Sequence, residues 1–141
     1  MNVQPYIFFD GRCDEAITFY KAALGATVTV LMRYKDHPQP GAPESGAGCE
    51  GIKPDMVMHA SLRIGESEVM VSDGRGGGNP QFEGVSMSLG VADAAEAQRV
   101  YDALLPGGKV VMPLGPSFFS PAFGMVVDRF GVHWMVVAAP K

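Results

Sequence analysis

The sequence predicts an α+β protein built from two βαβββ modules that share a concave mixed sheet, and three observations predict it. The order strand, helix, strand, strand, strand can be read twice along the 141 residues. The two helical segments align in register, "EAITFYKAAL" against "EAQRVYDALL", so that Glu15, Tyr20 and Leu24 match Glu96, Tyr101 and Leu105. A Gly-rich tract at 74–83 then divides the chain into a first module, 1–73, and a second, 84–141, expected to form one compact domain.

Each element has its own local reason. "VQPYIFFD" (3–10) is rich in β-branched and aromatic residues and closes at Asp10-Gly11, so it reads as a strand. "CDEAITFYKAALG" (13–25) carries Ile17, Tyr20 and Leu24 at helical spacing, acidic residues in the first turn and Gly25 at the C-cap. "TVTVLMRY" (27–34) returns to strand. The stretch 35–55 is Pro/Gly-rich and without periodicity, the signature of a lid or a long surface excursion. "MVMHASLRIGESEVMVSD" (56–73) predicts a hairpin turning at Gly65-Glu66. In the second half, 84–91 predicts a strand, 93–108 a helix with Asp93 at its N-cap, and 109–115 a strand. An aromatic loop follows, "PSFFSPAF" (116–123), and then the hairpin "FGMVVDRFGVHWMVV" (123–137).

A βαβββ unit covers one sheet face with its helix and leaves the other bare. Period-2 alternation sorts the residues between those faces. Val85, Met87, Leu89 and Val91 suit the helix side, with Ser86, Ser88 and Gly90 opposite. Met58, Ala60, Leu62 and Ile64 oppose His59, Ser61 and Arg63, while Pro5, Ile7 and Phe9 oppose Gln4, Tyr6 and Phe8. In the last strand His133, Met135 and Val137 share one face, and Trp134 joins Val132 and Val136 in the core. The open face is thus expected to be small and polar, mixed with aromatics, as a ligand pocket would be.

Composition narrows the function. A formal net charge of −4 with scattered Lys and Arg argues against nucleic acid, and no apolar run approaches the roughly 20 residues of a membrane span. The N-terminal residues lack a signal-peptide layout, and Cys13 and Cys49 show no metal-binding spacing, which favours two free thiols in a cytoplasmic protein. "DGRGGGNP" (73–80) lacks the Gly-Lys-Ser/Thr ending of a phosphate loop and reads as a linker. No strand–Gly-rich turn–helix unit of the kind that binds S-adenosylmethionine is present. The serines lack a G-x-S-x-G elbow. The nine methionines read as core gap fillers, most of them at core-facing strand positions. His37 and His133 read as surface residues. His59, flanked by Ser61 and Arg63, is the one histidine placed for chemistry, though a hydrogen-bonded strand histidine is the commoner case.

The duplicated order resembles the vicinal oxygen chelate superfamily, which includes glyoxalase I, extradiol dioxygenases and the bleomycin and fosfomycin resistance proteins. The segments "PYIFFDGRCDEAITFYKAALGA", "MHASLRIGESEVMVSD" and "FGMVVDRFGVHWMVV" resemble its PhnB-like branch, often described as 3-demethylubiquinone-9 3-methyltransferase-like. The resemblance implies four metal-ligand positions, usually His or Gln, Glu, His and Glu. Carried over by position, they fall at Gln4 or Pro5, at Met70 or Ser72, at Ser86 and at Met135. Thioether sulfur suits soft ions and serves Zn²⁺, Mg²⁺ or Mn²⁺ badly, so no metal cofactor is expected at the usual positions. Where relatives carry Trp-Gly in the aromatic loop, this chain has Phe119-Ser120.

The expectation that results is a small-molecule-binding protein, its ligand held in the concave face by some of Gln4, Tyr6, His59, Ser61, Arg63, Met70, Ser72, Ser86, Ser88, Phe119 and Met135. Arg63 is the candidate partner for an anionic group. The competing reading is a lyase, isomerase or dioxygenase with atypical metal ligands or none. Homodimers are common in the superfamily, and one is expected here.

Overall fold

The computed structural model describes residues 1–38, 52–74 and 81–140. The chain divides into two compact units, Met1–Pro80 and Gln81–Lys141. The first holds β1 (Tyr6–Phe8), α1 (Cys13–Leu24), β2 (Thr27–Arg33), a 3-10 turn (Tyr34–Asp36), β3 (Val57–Ile64) and β4 (Ser67–Ser72). The second holds β5 (Met87–Val91), α2 (Ala94–Leu104), β6 (Lys109–Gly115), β7 (Phe123–Val127) and β8 (His133–Ala138). The sheets run β1-β4-β3-β2 and β5-β8-β7-β6, the same topology twice. In each, the first strand lies parallel to the last and the other pairs are antiparallel. The duplicated βαβββ order is therefore the fold.

Helix α1 starts without a side-chain cap of its own. Asp73, just past β4, supplies one from a distance: its Oδ1 accepts the Gly11 and Cys13 N–H groups at 3.1 and 2.8 Å, and its Oδ2 accepts Val57 N–H at 2.7 Å. One buried carboxylate thereby ties the helix start to β3, answering donors that a helix N-terminus leaves open. The helix ends as the sequence predicts, at Gly25 in the left-handed region (φ 67°), whose N–H reaches Lys21 O. In α2 the Asp93 carboxylate accepts Glu96 N–H at 2.8 Å, and Glu96 returns the contact to Ala92 N–H at 3.0 Å. This helix stops at Leu104 rather than continuing to 108, because Pro106 lacks an N–H and Gly107 takes φ 81°.

Each unit has a core of its own, and the two are built alike. In the first, Ile7, Phe9, Ile17, Tyr20, Ala60, Leu62, Val69 and Val71 are buried between α1 and the sheet. In the second, Val100, Tyr101, Leu104, Val126, Trp134 and Val136 are buried beneath α2. The register-matched tyrosines Tyr20 and Tyr101 are both interior, as the helix alignment requires. Trp134 donates its indole N–H to Asp128 Oδ2 at 2.8 Å, and Asp128 Oδ1 accepts Phe130 and Val132 N–H, so one carboxylate holds the β7–β8 turn. Two expectations fail at strand starts. Val85 precedes β5 and is 67% exposed, and Pro5 precedes β1 and is exposed. Val85 lies before the first β5 pairing, and Pro5 joins the sheet only through its carbonyl, which accepts Met70 N–H at 3.0 Å, so alternation does not bury either.

Cys13 is a free, fully buried thiol. Burial first, then the nearby Asp73 and Asp14 carboxylates, pushes it far above the ordinary thiol pKa. Cys49, His37's neighbours in the 39–51 segment and the 75–80 part of the linker lie outside the described residues.

Candidate functional site

The open face of the first sheet is built by register. β1 and β4 place Tyr6 beside Met70 and Phe8 beside Ser72, and β3 adds Ser61 beside Met70. β2 adds Val30 beside Ser61 and Met32 beside His59. Their alternation partners Ile7, Ala60, Leu62, Val69 and Val71 are in the core, which fixes this side as the uncovered one. Across it the Tyr6 hydroxyl meets His59 Nδ1 at 2.9 Å. The two rings lie 5.5 Å apart, and Tyr6 stacks on Phe8 at 4.9 Å. His59, Ser61 and Met70 are half-buried, whereas Tyr6, Phe8, Val30 and Met32 are exposed. The face combines an aromatic shelf with a phenol–imidazole pair.

Three of the expected residues behave differently. Ser72 has the right parity but is 2% exposed, with Oγ accepting Gly74 N–H at 3.1 Å, so it serves the turn. Arg63 faces Glu68 across β3 and β4 at 3.9 Å, both of them solvated. Its charge is therefore shared with a neighbouring carboxylate. Gln4 is exposed and precedes β1.

On the second sheet, β5 and β8 set Ser88 beside Met135, β7 adds Met125 beside Met135, and β6 adds Met112 beside Met125. One position along, Phe123, Val137 and Gly90 form the next row. This face is thioether and apolar, not the small polar surface that β5 alone suggests. The methionine expectation is corrected with it. Met32, Met70, Met112, Met125 and Met135 stand on open faces, while Met58 shares the parity of the core residues Ala60 and Leu62 and Met87 pairs with Trp134. The reason is that β2, β6 and β7 carry methionine at the uncovered parity.

α2 fixes two of these positions from behind. The Tyr101 hydroxyl lies 3.0 Å from the Met112 carbonyl oxygen and 3.3 Å from that of Met125, shared between them as donor. Burial, and then the Asp102 carboxylate, raises its pKa, so it remains a neutral donor. The ring leaves no room at Gly124, where a Cβ would stand 2.9 Å from Tyr101 Cε2 and 2.9 Å from Leu114 Cα. Ser86 has a buried Oγ without a hydrogen-bond partner among the described residues, an uncompensated cost in this half. Phe119 is 44% exposed and packs edge-on against Phe123 at 5.0 Å, and Phe118 beside it is fully exposed. Ser120, by contrast, is buried and donates to Ala138 O at 2.6 Å, anchoring the loop to the end of β8.

The metal positions implied by the resemblance can be tested on each half. Gln4 or Pro5 with Met70 or Ser72, and Ser86 with Met135, offer amide, hydroxyl and thioether groups and no carboxylate. Among the described residues no three His, Cys, Asp or Glu side chains gather as a metal group. These donors do not fit a hard divalent ion.

Residues 1–137 match the family model described as 3-demethylubiquinone-9 3-methyltransferase. The chain is 34% identical over 139 residues to protein YjdN of Escherichia coli K12, covering 96% of this chain and 94% of that one. It resembles the crystal structure of PA1353 from Pseudomonas aeruginosa with a TM-score of 0.81 at 38% identity, over 100% of this chain and 99% of that one. It resembles a PhnB protein of Bacillus cereus, described as a putative 3-demethylubiquinone-9 3-methyltransferase, with a TM-score of 0.77 at 26% identity, over 99% and 100% of the two chains. The fold alone is shared with the fosfomycin resistance protein FosX of Listeria monocytogenes, at a TM-score of 0.59 and 8% identity over 99% of this chain and 90% of that one.

Proposed function

Because the chain belongs to the 3-demethylubiquinone-9 3-methyltransferase family, the PhnB-like branch of the vicinal oxygen chelate superfamily, we propose that it binds a small organic molecule on the open face of its first sheet. One observation carries this reading: the 2.9 Å contact between Tyr6 and His59, set on an aromatic shelf and flanked by Ser61 and Met70. Such a surface offers a ring face for stacking, a phenol and an imidazole for hydrogen bonds, and thioether for shape. The Arg63–Glu68 pair presents both signs of charge, which suits an uncharged ligand or a weakly anionic one better than a phosphate. Binding needs no hard metal at Met70 and Met135.

The family's description speaks of methyl transfer. Both sheets here have a single parallel pair, and among the described residues no Gly-rich turn of the kind that ordinarily holds S-adenosylmethionine leads from β1 into α1 or from β5 into α2, which weighs toward binding. A second reading rests on the same contact. A phenol hydrogen-bonded to an imidazole can pass a proton to and from a bound substrate, which is metal-free isomerase or lyase chemistry. A homodimer is part of the proposal, and light scattering of the untagged protein decides it.

The test is a thermal-shift screen of a metabolite library, followed by calorimetry on wild type and His59→Ala. A ligand bound by wild type and weakened about tenfold or more in the variant supports the reading. Equal affinity in both sends the ligand elsewhere. Conversion of that ligand that persists in a chelator and disappears in His59→Ala selects the second reading.

A further inference from the structure

We propose that Met112, Met125 and Met135 form a thioether site for a soft monovalent cation of the Cu(I) or Ag(I) type. The three residues are direct cross-strand neighbours on β6, β7 and β8, in the single row Met112–Met125–Met135. Strands lie about 4.8 Å apart, so the three backbones span roughly 10 Å, and side chains with three rotatable bonds can bring their sulfurs together over the central one. The row is uncovered on its outer side: Met112 is 44% exposed, and Met125 and Met135 are half-buried. It is held from the inner side, because the Tyr101 hydroxyl grips the carbonyls of Met112 and Met125. The two flexible arms therefore spring from a fixed base.

The surroundings select the kind of ion. Ser88 ends the row, Phe123 and Val137 lie on one side of it, and Val127 and His133 on the other. No carboxylate occupies any of these positions. Neutral sulfur donors compensate little charge and bind soft ions, whereas Mg²⁺, Mn²⁺ and Ca²⁺ need oxygen ligands. A singly charged d¹⁰ cation has the least hydration to lose and the strongest preference for thioether. The half-buried His133, two residues before Met135 on the same face, offers an imidazole that copper also accepts, and the Phe123 ring can face the cation. This site is on the second sheet and does not depend on the ligand reading of the first.

Silver(I) is the probe, since it needs no reductant, and Cys49→Ser is the background, since a free thiol would compete. The protein has nine methionines, whose labelled ε-methyl groups report separately by NMR. The expected result is one equivalent of Ag(I) per chain, with the resonances of Met112, Met125 and Met135 moving together and no response to Zn²⁺ or Mn²⁺. Met125→Leu should weaken binding by at least about tenfold, and the core-facing Met58→Leu should not. If Met125→Leu fails to fold, the exposed Met112→Leu gives the same comparison. The proposal is overturned by an absence of Ag(I) binding, by shifts confined to Met32 or Met70, or by undiminished affinity in the folded variants.

Discussion

The Tyr6 hydroxyl and the His59 ring nitrogen meet at 2.9 Å, although the chain separates them by a helix, a strand and the whole 35–55 stretch. Neither residue sits directly opposite the other in the ladder. Tyr6 is beside Met70 and His59 is beside Met32, so the contact runs diagonally over β4. A diagonal contact of this kind is within reach of aromatic side chains.

Removing that contact should separate binding from stability. Tyr6→Phe deletes one half-exposed hydrogen bond and keeps the stacking on Phe8, so folding stability should change by less than about 1 kcal/mol. Affinity for a ligand held by the phenol should fall several-fold. Urea denaturation and calorimetry on the same sample read the two quantities. A large stability loss with unchanged affinity would make the pair structural.

Asp128 is expected to be among the most sensitive polar residues of the second unit. Its carboxylate serves two backbone N–H groups and the Trp134 indole in a setting 2% exposed. Asp128→Ala would leave buried donors unpaired, at about 2–4 kcal/mol. Trp134 is the only tryptophan, so denaturation followed by fluorescence reports on this site directly.

Cys13 should be inert in the folded protein. In the Cys49→Ser background its thiol should resist disulfide reagents at pH 8 and react only at the rate of unfolding. The linkage sign follows from the raised folded-state pKa. The contribution is fully present below the unfolded thiol's pKa of about 8.5 and is lost as pH rises beyond it, because the unfolded chain ionises first. Stability curves of wild type and Cys13→Ala should therefore converge toward alkaline pH.

Gly124→Ala should cost about 1–3 kcal/mol, since its Cβ has no space between Leu114 and Tyr101. It should also displace Tyr101 from the carbonyls of Met112 and Met125. Thermal denaturation measures the first effect, and methionine methyl NMR without added metal measures the second. Unchanged methyl resonances in a destabilised variant would mean that the tyrosine does not position the row.

The sequence carries the fold plainly and the site less so. Helix periodicity, Gly25 and Asp93 mark α1 and α2, and the matched Tyr20 and Tyr101 reveal the duplication because both must be interior. Alternation in 57–64 assigns His59, Ser61 and Arg63 to their face without further help. It misleads at Val85, which precedes the paired part of β5, and at Pro5, which bonds to β4 through its carbonyl yet stays exposed at the sheet's end. The thioether row was hidden for a different reason. Met112, Met125 and Met135 are far apart in sequence, and methionine is equally at home in a core, so only the register between β6, β7 and β8 shows them adjacent. The same alternation rule, applied to β6 and β7 as well as to β5 and β8, would have hinted at it. Asp73 is legible only as a turn residue, because the groups it satisfies belong to α1 and β3, whereas Asp128 serves the backbone and the Trp134 of its own hairpin.

The parallel pairing of β1 with β4 has a consequence for synthesis. Tyr6 precedes its partner Met70 by most of the module, so the sheet's edge strand must wait while everything between is translated. The Asp73 carboxylate that completes the start of α1 arrives later still. During synthesis β1, "YIF", therefore remains without its partner strand until β4 has been made. A nascent chain released shortly before Asp73 would expose that strand, and a chaperone that recognises extended apolar segments would meet it there.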